Sequence, residues 1–248
     1  MKKLFANIKN LPVLSKISAI LLAATLLLSL SALFIGYIFD FMGDLFKGAF
    51  DSFPDFLSFS HVVLFDIIQI LVIAAFLIAV ISGSRKNIAF VAASKATLVT
   101  LDVLAISPFI FMLYRMTLGG YRGVSIGFST VWSYFYNFTV AVTFGAFAML
   151  MLGGFGKKSK LFGFIITGMF AFFTVMAFVD WVRAIVEIVK AISQSRAIWY
   201  ILALVFDYMT IATASMLLFV ALGILSLSIA LKKTKKAQPK LEENQINE

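Results

Sequence analysis

The chain has no cysteine, one histidine and four prolines in 248 residues, and only 13% of its side chains are charged. Without cysteine there are no disulfides, thiolate nucleophiles, zinc–thiolate sites or iron–sulfur clusters. Soluble domains carry about 25% charged residues and about 45–50% apolar ones, so a soluble globular protein is excluded as well. What the chain has in excess is grease: 62% hydrophobic residues, 28 of them phenylalanine, with a mean hydropathy of +1.02. That is more apolar surface than one core can bury, and the expected solvent is a lipid bilayer.

At about 20 residues per span plus short connections, the length accommodates one membrane domain and no appended soluble one. Met1-Lys2-Lys3 ahead of an apolar run resembles a signal peptide. The uncharged stretch Ile17 to Phe39, however, is 23 residues long, or about 34 Å as a helix, and exceeds the short core of a cleaved leader. It reads as an uncleaved first span. Five more segments follow: Val62 to Ile81, Ile88 to Tyr114, Val124 to Leu152, Leu161 to Val179 and Ile198 to Leu231. The fold class expected is all-α and polytopic, with six transmembrane helices over 17–231 between a basic cytoplasmic N-terminus (1–16) and a polar, disordered cytoplasmic tail (232–248). The third span survives Lys95, Asp102 and Pro108 because about twenty apolar residues outweigh one central Asp, which costs about 2.5–3.5 kcal/mol. The sixth, at 34 residues, should tilt, protrude or break near Gly223.

Basic residues distribute unevenly between alternate sides. Fourteen lie with the termini, and with the loops at Arg85–Lys86 and Lys157–Lys160; six lie opposite. Basic loops resist translocation, so both termini are expected in the cytoplasm, and the plasma membrane of a bacterium is the expected location. The net charge of +9 is then a topology signal with some attraction to anionic lipid, and no nucleic-acid partner is implied.

Two outer segments carry helical charge patterns. Asp40, Asp44, Lys47 and Asp51 share one face, as do Asp180, Arg183, Glu187 and Lys190, with apolar residues opposite; each segment is expected to form a separate helix lying in the interface. Arg115 to Gly127, with four glycines, is expected to be irregular. Overlaying the inward-running helices aligns Asp66, Asn137 and Asp207 at spacings of 71 and 70 residues. The overlay suggests a 2+2+2 hairpin pseudo-repeat, although any six-span chain with similar loops yields a similar period. The Pro-x-Asp/Glu-x-x-Lys/Arg signature of mitochondrial carriers is missing.

Ionisable groups within spans are expensive and commonly serve a pathway or a binding site. Asp102 lies near mid-depth and needs a partner or a proton. Lys95, seven residues earlier, is expected to snorkel toward the cytoplasmic headgroups. If the outer halves converge, Asp66, Gln69, Asn137, Asp207 and Thr210 surround an acidic vestibule above Asp102, suited to a cation, a proton or an amine; isolated interfacial residues are the plainer alternative. Gly123-Val124-Ser125-Ile126-Gly127 matches the G-x-S-x-G of serine hydrolases and His61 is the one available base, but the strand–turn–helix context is absent. No catalytic set, metal ligand cluster or cofactor is called for. Small residues mark packing faces at Ser18, Thr25, Ser29, Ala32 and Gly36, and at Ala141, Gly145 and Ala148.

The architecture, in length and span number, resembles ABC-2 type export permeases; that implies a permease, or the membrane subunit of a transport system driven by a partner ATPase or other membrane subunit, with a homo-oligomer also in view. A non-transporting scaffold or regulatory subunit that binds partner helices is the alternative. An intramembrane hydrolase is a distant third.

Overall fold

The computed structural model describes residues 11–47, 53–105, 128–194, 196 and 198–231. Among these, every regular element is helical, with no strand. We label them α1 (Val13–Lys47), α2 (Phe53–Ile81), α3 (Arg85–Ala105), α4 (Phe128–Leu152), α5 (Ser159–Ser193), α6 (Ile198–Ala203) and α7 (Thr210–Ala230), with a π-helical stretch, Leu204–Met209, between the last two. Among the described residues, four helical segments are long and apolar enough to cross a membrane: Val13–Ile35, Trp132–Leu152, Gly156–Ser193 and Tyr200–Ala230. Asp66–Ile81 is a shorter apolar helix.

The helices stop where the sequence supplies stops. Gly83 and Gly153 adopt positive φ, 68° and 77°, the left-handed conformation that glycine enters without a Cβ penalty. At the end of α4, Gly153 N–H bonds to Leu150 O at 3.1 Å and Gly154 N–H to Met149 O at 2.9 Å, which together make a Schellman cap. Ser84 caps the start of α3 by accepting the Asn87 N–H at 3.4 Å. Pro54 sits in the first turn of α2, where its missing N–H has no partner to lose.

Two expected elements come out differently. The segments beginning at Asp40 and Asp180 are not separate surface helices: α1 continues unbroken to Lys47 and α5 to Ser193. Charge marks depth but does not end a helix. Between Met169 and Ser193 there is no glycine or proline to stop propagation, and i,i+3 ion pairs Asp180–Arg183 (3.0 Å) and Glu187–Lys190 (2.7 Å) support the extension. Of the tilt, protrusion or break expected of the last span, a break at Gly223 is absent, since α7 is continuous there. The irregularity lies fourteen or more residues earlier, in the π-helical stretch, at whose end Thr210 Oγ1 donates to Val205 O at 3.2 Å, five residues back.

Neighbour contacts run α1–α2–α3–α4–α5–α7 and return from α7 to α1, closing a ring. Packing is most extensive for α5–α7, α3–α4 and α1–α7, so α1 leans more on the last helix than on its hairpin partner α2. Small residues allow these approaches. Ser18 and Thr25 are fully buried and Ala32 nearly so, with Ser18 Oγ donating to Ala221 O across α1–α7 at 2.9 Å. Gly163 lies so close to α7 that a Cβ there would sit 2.9 Å from Ala230 Cβ. Thr167 and Ser226 share a hydrogen bond of 2.7 Å across α5–α7.

Phenylalanine fills the middle. Phe76, Phe144, Phe147, Phe170 and Phe173 are almost wholly buried. Phe170 meets Phe144 at 5.6 Å and Phe147 at 5.5 Å, both edge-on, while Phe76 lies 6.2 Å from Phe144 and Phe219 lies 5.3 Å from Phe173. Edge-to-face pairs add about 0.5–1.5 kcal/mol beyond burial. The outward faces are apolar too: Ile20, Leu27, Leu71, Phe90 and Phe138 are all more than half exposed, the inverse of a soluble surface.

Candidate functional site

Depth can be measured from the end of the bundle that carries the turns at 82–84 and 153–158. Lys95 is ten residues into α3, about 15 Å from that end, and Gln69 is twelve residues before the end of α2, about 18 Å. They are at nearly the same height on adjacent antiparallel helices. The Lys95 ammonium donates to Gln69 Oε1. Lys95 therefore does not snorkel to the near end. It is half-buried and turned across to α2, because an amide oxygen lies within reach and a Lys in apolar surroundings takes the nearest acceptor.

Asp66 precedes Gln69 by three residues on α2, so both occupy one helix face about 4.5 Å apart along the axis, and Asp66 is also half-buried. An ammonium and an amide thereby meet at mid-height between α2 and α3, with a carboxyl group one turn further along α2. The phenylalanine cluster occupies roughly 7–21 Å from the turn-bearing end, a band that includes the heights of Lys95 and Gln69.

The remaining expected site residues are placed as follows. Asn137 is half-buried on α4, and Thr210, the first residue of α7, is half-buried and donates within its own chain segment to Val205 O. No hydrogen bond among the described residues joins either of them to Gln69. Asp102 lies in the last turn of α3 and Asp207 in the π-helical stretch; their side chains are outside the described residues, as are His61's side chain, all of Ser125 and the loop 106–127, residues 1–10 and 48–52, and the tail 232–248. Among the described residues no three His, Cys, Asp or Glu side chains group as metal ligands.

Sequence reasoning had discounted Lys95. The signal that would have found it is arithmetic about the turn: Gly83 lies 14 residues after Gln69 and 12 before Lys95, and residues nearly equidistant from a tight hairpin turn face one another. No protein-family model, curated protein or solved structure matches this chain.

Proposed function

We propose that the chain is a six-span integral membrane protein, acting as a small permease or as the membrane subunit of a transport system. Its polar site is Asp66, Gln69 and Lys95, with Asp102, Asp207, Asn137 and Thr210 contributing from the outer half. The reading rests on one observation: an ammonium group is held at mid-height in an apolar bundle by a side chain of the next helix. An ionisable residue at such depth is expensive to keep, and its usual return is a pathway or a binding site. The membrane placement draws on the four long apolar helices, on the apolar outward faces and on α2 and α3 completing the count to six. The basic residues distribute so as to put the termini and the turns at 82–84 and 153–158 in the cytoplasm, across a plasma membrane that we take to be bacterial. Three hairpins in a 2+2+2 plan fit the ring of neighbours, and the energy source for transport would be a partner subunit or a proton gradient.

A second reading, a non-transporting scaffold, is favoured by the phenylalanine-packed interior, since a solid core suits a helix-binding platform. The two separate in proteoliposomes loaded with a pH dye and energised by a potassium–valinomycin potential. The permease reading expects proton uptake above that of protein-free vesicles, lost in Lys95→Met and in Asp102→Asn. Uptake no greater than in empty vesicles, or uptake untouched by both substitutions, contradicts it; the first result leaves the scaffold.

A further inference from the structure

The cations at the turn-bearing end stand without acids. The chain has no Asp or Glu before Asp40, only Asp102 between Asp66 and Asp180, and none between Asp207 and Glu242. Asp102 lies about 26 Å along α3 from that end. Lys16, Arg85, Lys86, Lys157, Lys158 and Lys160 therefore share the end with no carboxylate among the described residues. All but the half-buried Lys16 are exposed, and none of the six forms an ion pair there. The far end is built differently, with Asp180 paired to Arg183 and Glu187 to Lys190. Membrane orientation accounts for the cations but not for the missing acids, because Lys and Arg set topology while Asp and Glu contribute little to it.

The cations are also held in place. In the turn between α4 and α5, Gly156 N–H bonds to Gly153 O and Lys158 N–H to Phe155 O, each at 3.0 Å, and the Phe155 ring stacks on Phe162 of α5 at 4.0 Å. The extensive packing of α3 on α4 sets Arg85 and Lys86, at the start of α3, beside the end of α4 and this turn. A Cβ built on Gly83 lies 3.9 Å from Leu11 Cδ2, which ties the start of α1 to the neighbouring turn.

We infer that this end is a binding surface for the anionic phospholipid headgroups of the bilayer itself, centred on Lys157, Lys158 and Lys160 with Arg85 and Lys86 alongside. Depth and composition select lipid over an acidic protein. The cations sit where long apolar helices begin and end, which is headgroup height, and Leu152, Leu161 and Ile165, exposed within two turns of the lysines, offer the acyl chains a surface directly below. A headgroup with its chains uses both features, whereas an acidic protein uses only the charge. Each basic residue at an anionic surface multiplies affinity by about five. The inference rests on the membrane placement proposed above, and not on transport.

The chain is free of cysteine, so a bimane fluorophore can be attached at Leu161→Cys, beside the lysines, or at Phe135→Cys, exposed about 26 Å from the inner end of α4. Each labelled protein is reconstituted into phosphatidylcholine vesicles carrying the same minor fraction of brominated phosphatidylglycerol or brominated phosphatidylcholine. At Leu161 the expected quenching is several-fold stronger with the anionic lipid. That preference should fall to none in Lys157→Gln/Lys158→Gln/Lys160→Gln and weaken in high salt, while Phe135 should be quenched alike by both lipids. Equal quenching at Leu161, leaving an acidic protein as the occupant, would overturn the inference, as would a preference unchanged by the triple substitution or equally strong at Phe135. Quenching by neither lipid at either position would instead sink the membrane placement.

Discussion

The contact between Gly163 and Ala230 allows the packing of α5 on α7 to be tested at the scale of one methyl group. A Cβ built on Gly163 lies 2.9 Å from Ala230 Cβ and 3.3 Å from both its Cα and its backbone nitrogen. Carbon atoms rest at about 3.5–4.0 Å, and two of the three obstructing atoms are helical backbone, which has little freedom to retreat. Gly163→Ala should thus incur an overpacking penalty of about 1–3 kcal/mol. Against it stands the gain in helix propensity of replacing glycine by alanine, about 0.8–1.0 kcal/mol in a helix interior. Gly145→Ala on α4 isolates the two, since a Cβ there meets nothing within 4 Å and only the propensity gain applies. Thermal unfolding in detergent, followed through the fluorescence of the three tryptophans, should place Gly163→Ala below Gly145→Ala by about 2–4 °C for each kcal/mol. Adding Ala230→Gly, at the last residue of α7, should restore most of the loss, giving a favourable coupling energy in the double-mutant cycle. Equal melting temperatures for the two single variants, or no recovery on removing the Ala230 methyl, would refute the close approach of α5 and α7.

Two more outcomes follow from the same packing. Phe170→Ala removes a fully buried ring that touches Phe144, Phe147, Phe173 and Phe219 and should lower stability by about 3–5 kcal/mol, while Phe90→Ala, at a position 74% exposed, should change the melting temperature little; equal losses would mean that the core has been misplaced. Arg183→Ala breaks an exposed i,i+3 pair and should cost no more than about 0.5 kcal/mol, a shift near the limit of the same melting assay, so a loss above 1 kcal/mol would show that the projecting end of α5 relies on that charge.

Much of the helical layout was legible because hydropathy and the scarcity of breakers leave few alternatives: Gly83 and Gly153 end helices just where the apolar runs end. The charged patterns after Asp40 and Asp180 were misleading for a physical reason. They report where a helix meets water, whereas a helix ends only when its hydrogen-bond ladder is interrupted, and the described ladder runs on through Asp40 to Lys47 and through Asp180 to Ser193. Gly223 misled in another way. The helix runs through it without interruption, and a built Cβ would lie 3.5 Å from Phe170 Cβ, an ordinary van der Waals contact. The π-helical stretch left no signal, since one extra residue in a turn does not alter composition. The site was legible as a set of residue types but not as a set of partners. Gln69, Asp66 and Lys95 are each visible as polar residues in apolar runs, yet which way Lys95 turns depends on what the neighbouring helix offers at the same height.

In the proposed topology these helices cross a bilayer with the turn at 153–158 on the cytoplasmic side and the far end of α5 outside. Single cysteines at Lys157 and Glu187 in the otherwise cysteine-free chain, probed in intact cells with a membrane-impermeant maleimide, measure this directly. The expected result is that Glu187→Cys is labelled from outside, and Lys157→Cys only after the membrane is permeabilised. Labelling of Lys157→Cys in intact cells, or the same accessibility at both positions, would contradict it.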